Sequence, residues 1–324
     1  MAARFSTSRI LPPAVLLTLS LLWALDSLRN DLWPGPFRAA NRLPFFEHEY
    51  LRWTVLASAV VLLALVRRSK WPARRVLFHA TLTGLGIFVV PVLLIHACGG
   101  IVPDLTRVAL FSLTPLLALV FEPFLGAAGL SNAKGGMAAA LVLVAGAFFL
   151  FPFNLPNSMT LALANGLLLI AITVIAAANC WAVRIAHTPS APSTLAWAAI
   201  CAIATAFSFG VISLISQPSV APTIQLWPAA LWVLLIDLPA LLAFFWLLPR
   251  LTAARMTLRF ALAPLFAALL SVIFFAPSVS LSAAAGLALM ATGTGWMLFA
   301  PDGGGASSIS LGLDANDSNR KFKQ

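Results

Sequence analysis

Apolar residues in this chain are gathered into long runs separated by short polar breaks, with neither the strict alternation of a strand nor the single stripe of a surface helix. Runs of roughly 17–25 residues cover about 11–28, 51–67, 76–97, 104–125 and 136–152. Five more cover about 160–183, 193–215, 224–248, 256–275 and 280–300. A helix rises about 1.5 Å per residue, so some 20 residues cross about 30 Å of hydrocarbon. The pattern predicts an all-α integral membrane protein of ten transmembrane helices.

Ten crossings put both termini on one side. Two polar stretches interrupt the rhythm. Residues 29–50, "RNDLWPGPFRAANRLPFFEHEY", mix proline, aromatic and charged residues and are expected as an external loop or cap. Residues 301–324 open with "PDGGGASS" and close with "NRKFKQ", the composition of a flexible tail. The amino end has Arg4 and Arg9 before an apolar core, as a signal peptide does, but no A-x-A cleavage site follows. It is expected to stay as the first span.

Composition agrees with the pattern. The chain is 61% hydrophobic and only 9% charged, too few charges to cover a soluble surface at 324 residues. Its net charge of +10 would suggest nucleic acid in a soluble protein, but no basic patch is interleaved with stacking aromatics, so a nucleic-acid partner is not expected. The basic residues lie mostly between apolar runs and orient the chain. With the amino end inside, fifteen of the 20 Lys and Arg fall on inner segments. These include Arg184, Arg250, Arg255, Arg259 and the five basic residues of "RRSKWPARR". The outer side keeps Arg29, Arg38, Arg42, Arg52 and Arg107. Both termini are therefore expected in the cytoplasm, with the chain in the plasma (inner) membrane. Cys98, Cys180 and Cys201 lack metal or CxxC spacing and read as small buried residues. His48, His79, His96 and His187 lie near span ends without metal spacing, so no metal and no cofactor are expected.

Proline and glycine spacing hints at an internal duplication. Pro91 and Pro115 are 24 residues apart, and Pro239 and Pro264 are 25 apart. From Pro115 to Gly146, and from Pro264 to Gly295, the separation is 31. Residues 1–152 and 153–300 would then be two five-helix repeats, inverted because each holds an odd number of spans. Each proline deletes a backbone hydrogen bond and kinks its helix. Pro91, Pro115, Pro239 and Pro264 are thus candidate kinks through which a cavity could open and close.

Four stretches carry a family resemblance. "RVALFSLTPLLALVFEPFLG" (107–126) and "RMTLRFALAPLFAALLSVIFF" (255–275) resemble the fourth and ninth helices of the EamA family in the drug/metabolite transporter superfamily. "LTLSLLWALDSL" and "AAANCWAVRI" (176–185) resemble the entries to the first and sixth. The resemblance spans about residues 11–300 and rests mainly on helix order and the mid-helix prolines. It implies a secondary transporter that moves small metabolites, often outward, through a cavity between two five-helix repeats. One feature departs from that pattern: the turns "FLGAAGLS" and "FAPSVSLS" lack the glutamate often found there.

A few polar groups interrupt the apolar runs. Asp237, in "VLLIDLPALLAF", lies half-way along its run, where a charge costs roughly 2.5–3.5 kcal/mol on insertion scales. Its counterpart two residues before Pro91 is Val89, so the scaffold does not demand a carboxylate there. Substrate binding, proton coupling and a structural hydrogen bond all remain open for it. Along the fourth run, Asp104, Arg107, Thr114 and Glu122 fall within an arc of about 80° at about 100° per residue. That stripe suits a cavity wall, although Asp104 and Arg107 also suit the headgroup level. Asp26 lies at a depth similar to Arg107, and an Asp26–Arg107 gate is expected. Asn165, Thr173 and Asn179 share a face of the sixth run, while Gly286 and Gly293 suggest close helix contact.

Alternating-access transport of a small amino-acid-like or drug-like metabolite, with export favoured, is the leading expectation. No GxxxxGK[ST] loop is present to use ATP. A flippase for lipid or lipid-linked substrates is the alternative. A membrane enzyme is disfavoured, since it would want clustered His, Asp or Glu at one membrane face. Small-molecule substrate and bilayer are the expected partners, and a homodimer is left open.

Overall fold

The computed structural model describes residues 7–28, 44–125, 133–151, 156–216, 226–275 and 280–299. Most of the expected external loop and all of the expected tail at 301–324 lie outside the described residues. Among the described residues there is no strand. Helices α1 (Thr7–Ser27), α2 (Phe45–Val66), α3 (Arg74–Ala97), α4 (Asp104–Phe124) and α5 (Ala133–Leu150) come first. Helices α6 (Met159–Ala186) and α7 (Thr194–Ser216) follow. Helix α8 is built from Leu226–Trp232, Val233–Asp237 and Leu238–Leu247, and α9 (Ala253–Phe275) and α10 (Leu281–Phe299) complete the set.

Among the described residues nine of these helices are long and apolar enough to cross a membrane, and α5 supplies a shorter apolar helix. Their outer faces carry bare aliphatic and aromatic side chains such as Phe124, Phe207, Leu214 and Leu281. The inner faces are rich in alanine. Helices dressed this way hold together through close approach of small residues, because lipid tails are as apolar as leucine and provide no hydrophobic drive between them.

Helices α5 and α10 show that approach most clearly. They run antiparallel, with Gly146 against Gly286 and Met290, and Gly293 against Ala139 and Leu143. A Cβ on Gly293 would stand 2.5 Å from the Leu143 backbone nitrogen, and one on Gly146 would stand 2.5 Å from that of Met290. Elsewhere α2 packs along α7, α1 against α8 and α9, and α6 against α3 and α4. The three cysteines are all at helix contacts. The thiols of Cys98, Cys180 and Cys201 point at the carbonyls of Ala164, Ala118 and Ala80, each on another helix.

Four helices are irregular, α9 among them, since a turn at Leu258 separates its first piece, Ala253–Thr257, from Arg259–Phe275. In α3 a π-helical stretch, Leu85–Val89, precedes Pro91, and in α8 another, Val233–Asp237, precedes Pro239. Proline lacks an N–H and crowds the carbonyl four residues back, so the turn before it is free to widen. Helix α4 breaks between Phe111 and Thr114, just before Pro115. The run of residues 104–125 is therefore two helical pieces, and the single stripe of Asp104, Arg107, Thr114 and Glu122 is not continuous. A second difference lies in α2. It begins at Phe45, six residues before the apolar run at 51, because Phe45, Phe46 and Tyr50 let the helix start among charged neighbours. Residues 45–50 belong to this helix rather than to the expected loop.

Gly293→Ala should destabilise the folded chain by about 1–3 kcal/mol through overpacking. Gly166→Ala, where a Cβ meets nothing within 4 Å, should be neutral or stabilising by up to about 1 kcal/mol. Thermal unfolding of the purified chain in detergent checks both.

Candidate functional site

The early start of α2 places Arg52 two turns inside the helix, facing the π-helical stretch of α8 that ends at Asp237. The Arg52 Nε donates to Asp237 Oδ2 at 2.8 Å, and its second guanidinium nitrogen donates to Oδ1 at 2.5 Å. This is the fork-to-fork geometry in which arginine binds carboxylate most strongly. Asp237 is 4% exposed, so the pair is desolvated on the acid side. The widened turn before Pro239 sets the carboxylate on the inner face of α8.

Two further carboxylates surround the same guanidinium. Asp26 of α1 approaches Arg52 at 3.6 Å and accepts the Trp232 indole N–H at 2.7 Å. Glu49, one turn before Arg52, lies 3.6 Å from it and accepts the Trp53 indole N–H at 3.2 Å. The expected Asp26–Arg107 pair does not form. Arg107 instead pairs with Asp104 at 3.1 Å, and Asp104 is 88% exposed. Both sit in the first piece of α4, whereas Asp26 faces α2 and α8 and finds the nearer cation there.

Other sequence-predicted residues are placed as follows. Thr114 is buried, and its hydroxyl donates to the Phe111 carbonyl left open by the break in α4. Glu122 is buried and accepts the Ala254 N–H at 2.8 Å, tying the end of α4 to the first turn of α9. Thr252 completes that cap by accepting the Arg255 N–H. Carboxylates at helix N-termini suit both the unpaired N–H groups and the helix dipole. Asn179 donates to the Ile175 carbonyl of its own helix and Thr173 to that of Leu169, while both side-chain polar atoms of Asn165 are buried without a partner. The structure thus brings together Asp237 and Asp26, with Arg52 between them, and leaves Arg107, Thr114 and Glu122 elsewhere.

A cavity of about 170 Å3 lies beside the ion pair. Glu49, Arg52 and Asp237 form its polar part, and Trp23, Trp53, Phe88 and Phe244 its aromatic walls. It is slightly larger than a 150 Å3 cavity known to hold benzene, so it fits a small organic molecule. A larger apolar cavity of about 350 Å3 lies between α1, α4 and α9 and reaches Pro264 and Ser271. Trp23 lines both cavities.

A second arginine emerges, one that the sequence places in the first turn of the run 256–275 and on the inner side. Arg259 sits in α9, 0% exposed, beneath three aromatic rings. Its guanidinium carbon lies 4.4 Å from the Phe244 ring centre, 4.7 Å from Phe260 and 5.3 Å from Trp23. One nitrogen donates to the Met256 carbonyl at 3.1 Å, while Nε and the other terminal nitrogen have no partner. Burying an ion without a counter-charge costs several kcal/mol. A desolvated cation–π contact returns about 2 kcal/mol or more, so the three rings offset part of that cost. Arg52 and Arg259 could have been suspected in sequence, since each lies one or two turns inside an apolar run's helical reach.

No family model and no curated protein matches the chain. Among solved structures, one described only as the crystal structure of a protein superimposes with a TM-score of 0.68 at 20% identity. The match covers 89% of this chain and 96% of that one. At that identity the likeness is one of fold.

Arg52→Met should cost about 3–5 kcal/mol by stranding Asp237. Adding Asp237→Leu should restore part of it, since an apolar replacement of a buried pair is often neutral while Glu49 and Asp26 still lack their cation. Arg107→Gln should cost less than about 1 kcal/mol, because its partner is exposed. Unfolding midpoints of the four proteins, wild type included as reference, check the set.

Proposed function

We propose that the chain is a secondary transporter that carries a small metabolite across the plasma membrane by alternating access. One observation carries this reading: a bidentate ion pair, Arg52–Asp237, borders a cavity inside a mostly apolar helix bundle. Intramembrane charges of this sort are expensive, face the bundle interior and mark substrate or ion paths. Asp237 would couple transport by exchanging Arg52 for substrate or a proton, and Asp26 and Glu49 would hold Arg52 during the exchange.

The mechanics follow from a pair of inverted five-helix repeats, residues 1–152 and 153–300. Several features support the duplication. Exchanging each helix for the one five places along maps α1–α9 onto α6–α4, α1–α8 onto α6–α3, and α4–α5 onto α9–α10, all of which are packed pairs. It maps α2–α7 and α5–α10 onto themselves, and these two pairs also pack. The π-helical stretches occupy equivalent places, each ending two residues before its proline. Such repeats place the substrate near their interface, and the rocking of one half against the other exposes it to each side in turn. Pro91 and Pro239 would act as the hinges of α3 and α8. The excess of basic residues on one set of loops orients both termini toward the cytoplasm. The EamA-like helix order favours outward movement.

Asp237→Asn should leave the chain folded in the membrane, because Arg52 keeps Asp26 and Glu49. Transport should fall by about a hundredfold, the kinetic equivalent of about 3 kcal/mol. Metabolites retained and secreted by cells with and without the protein identify the substrate, and flux into proteoliposomes then measures the variant. Wild-type flux by the variant would remove Asp237 from the mechanism.

A further inference from the structure

The buried arginine of α9 points to the chemistry of the ligand. We propose that Arg259 is an oxyanion-recognition residue, so that the transported molecule carries a carboxylate or phosphate group. The inference rests on the transporter reading above and adds the substrate class to it.

Three observations converge. Arg259 is fully buried, yet among the described residues no carboxylate pairs with it. Two of its three guanidinium nitrogens have no hydrogen-bond partner, so a planar donor fork stands ready for a planar or tetrahedral oxyanion. The rings of Trp23 and Phe244 that cover it are also walls of the cavity beside Arg52 and Asp237. In this proposal a displacement of either ring would join the guanidinium to that cavity. Arg184 and Arg250 also make one carbonyl bond each, to Leu125 and Trp246, but both are exposed and their remaining donors reach the surroundings of the bundle, whereas a fully buried arginine has to find its partners inside. Arg259 makes one such bond and leaves the remaining donors open.

The rest of the cavity fixes the direction of binding. Its polar lining holds two carboxylates, Glu49 and Asp237, against one arginine, Arg52, which a third carboxylate, Asp26, also approaches. An anionic group is repelled there and drawn to Arg259, while the apolar body of the ligand lies among Trp23, Trp53, Phe88 and Phe244.

The test uses the purified full chain in detergent and four probes of one size: benzoate, phenyl phosphate, neutral benzamide and cationic benzylamine. A ligand that binds the folded state raises the unfolding midpoint with its concentration. Benzoate or phenyl phosphate should raise it, and which of the two does so assigns carboxylate or phosphate. Benzamide and benzylamine should not. The shift should vanish in Arg259→Gln and persist in weakened form in Arg259→Lys, which keeps the charge and loses the fork. Equal shifts from the neutral or cationic probe, no shift from either anion, or an anion shift that survives Arg259→Gln would each overturn the proposal. If Arg259→Gln does not fold, the four probes on the wild-type chain decide alone. Flux in proteoliposomes separates this inference from the transporter reading. Flux that depends on Asp237 but not on Arg259 sinks only the oxyanion assignment, whereas Arg259-dependent anion binding without flux sinks only transport.

Discussion

A charge carried into an apolar helix bundle has to find its partner there, because no bulk water reaches it and its solvation must come from neighbouring groups. Arg52 and Asp237 meet this requirement through two hydrogen bonds across the α2–α8 contact. The rest of the site follows from the pair. Asp26 and Glu49 gather around the same guanidinium, and the indoles of Trp232 and Trp53 occupy the remaining acceptor oxygens. Carboxylates from three helices are thereby fastened to one side chain, and a cavity persists beside them because the aromatic walls are too bulky to close over the polar cluster.

The backbone makes that meeting possible. A regular α8 would continue its hydrogen bonds straight through Pro239, which cannot donate one. The π-helical stretch absorbs the mismatch and ends on Asp237. The same accommodation before Pro91 ends on Val89, which packs in the apolar core. Proline therefore shapes both helices alike, and only the side chain at the end of the widened stretch differs. Glu122 illustrates another use of a buried carboxylate: it serves backbone N–H groups at the start of α9 and stabilises a helix junction.

The helices were legible in the sequence because lipid demands length and apolarity together, and no other environment tolerates runs such as 160–183 or 193–215. Asp237 stood out for the same reason. Its partner did not. Arg52 and Arg259 each fall within the first turn of an apolar run, at 51–67 and 256–275, and were counted with the basic residues of the outer and inner side, although both are held inside the helix bundle. The aromatic residues around them were the missed signal. Phe45, Phe46 and Tyr50 extend α2 past its charges, and Phe260 continues the apolar face of α9 directly beyond Arg259. Asp26 was recognised as a pairing residue but given the wrong cation, since depth along a helix says nothing about which neighbour it faces.

Set against the proposed repeat, the charged residues acquire a common property. The proline register places Val89 opposite Asp237 and Leu110 opposite Arg259, and the same offset places Ile200 or Cys201 opposite Arg52. None of these counterparts is charged. If the two halves are repeats of one scaffold, that scaffold folds with apolar residues at all three places in its other copy. Under that proposal these charges are not demanded by the scaffold, and their pairing is uneven: Arg52 is shared among three acids, whereas Arg259 has no carboxylate partner among the described residues. On the proposed repeat, departures from internal symmetry, rather than its repetition, are where this bundle would carry chemistry that a ligand could use.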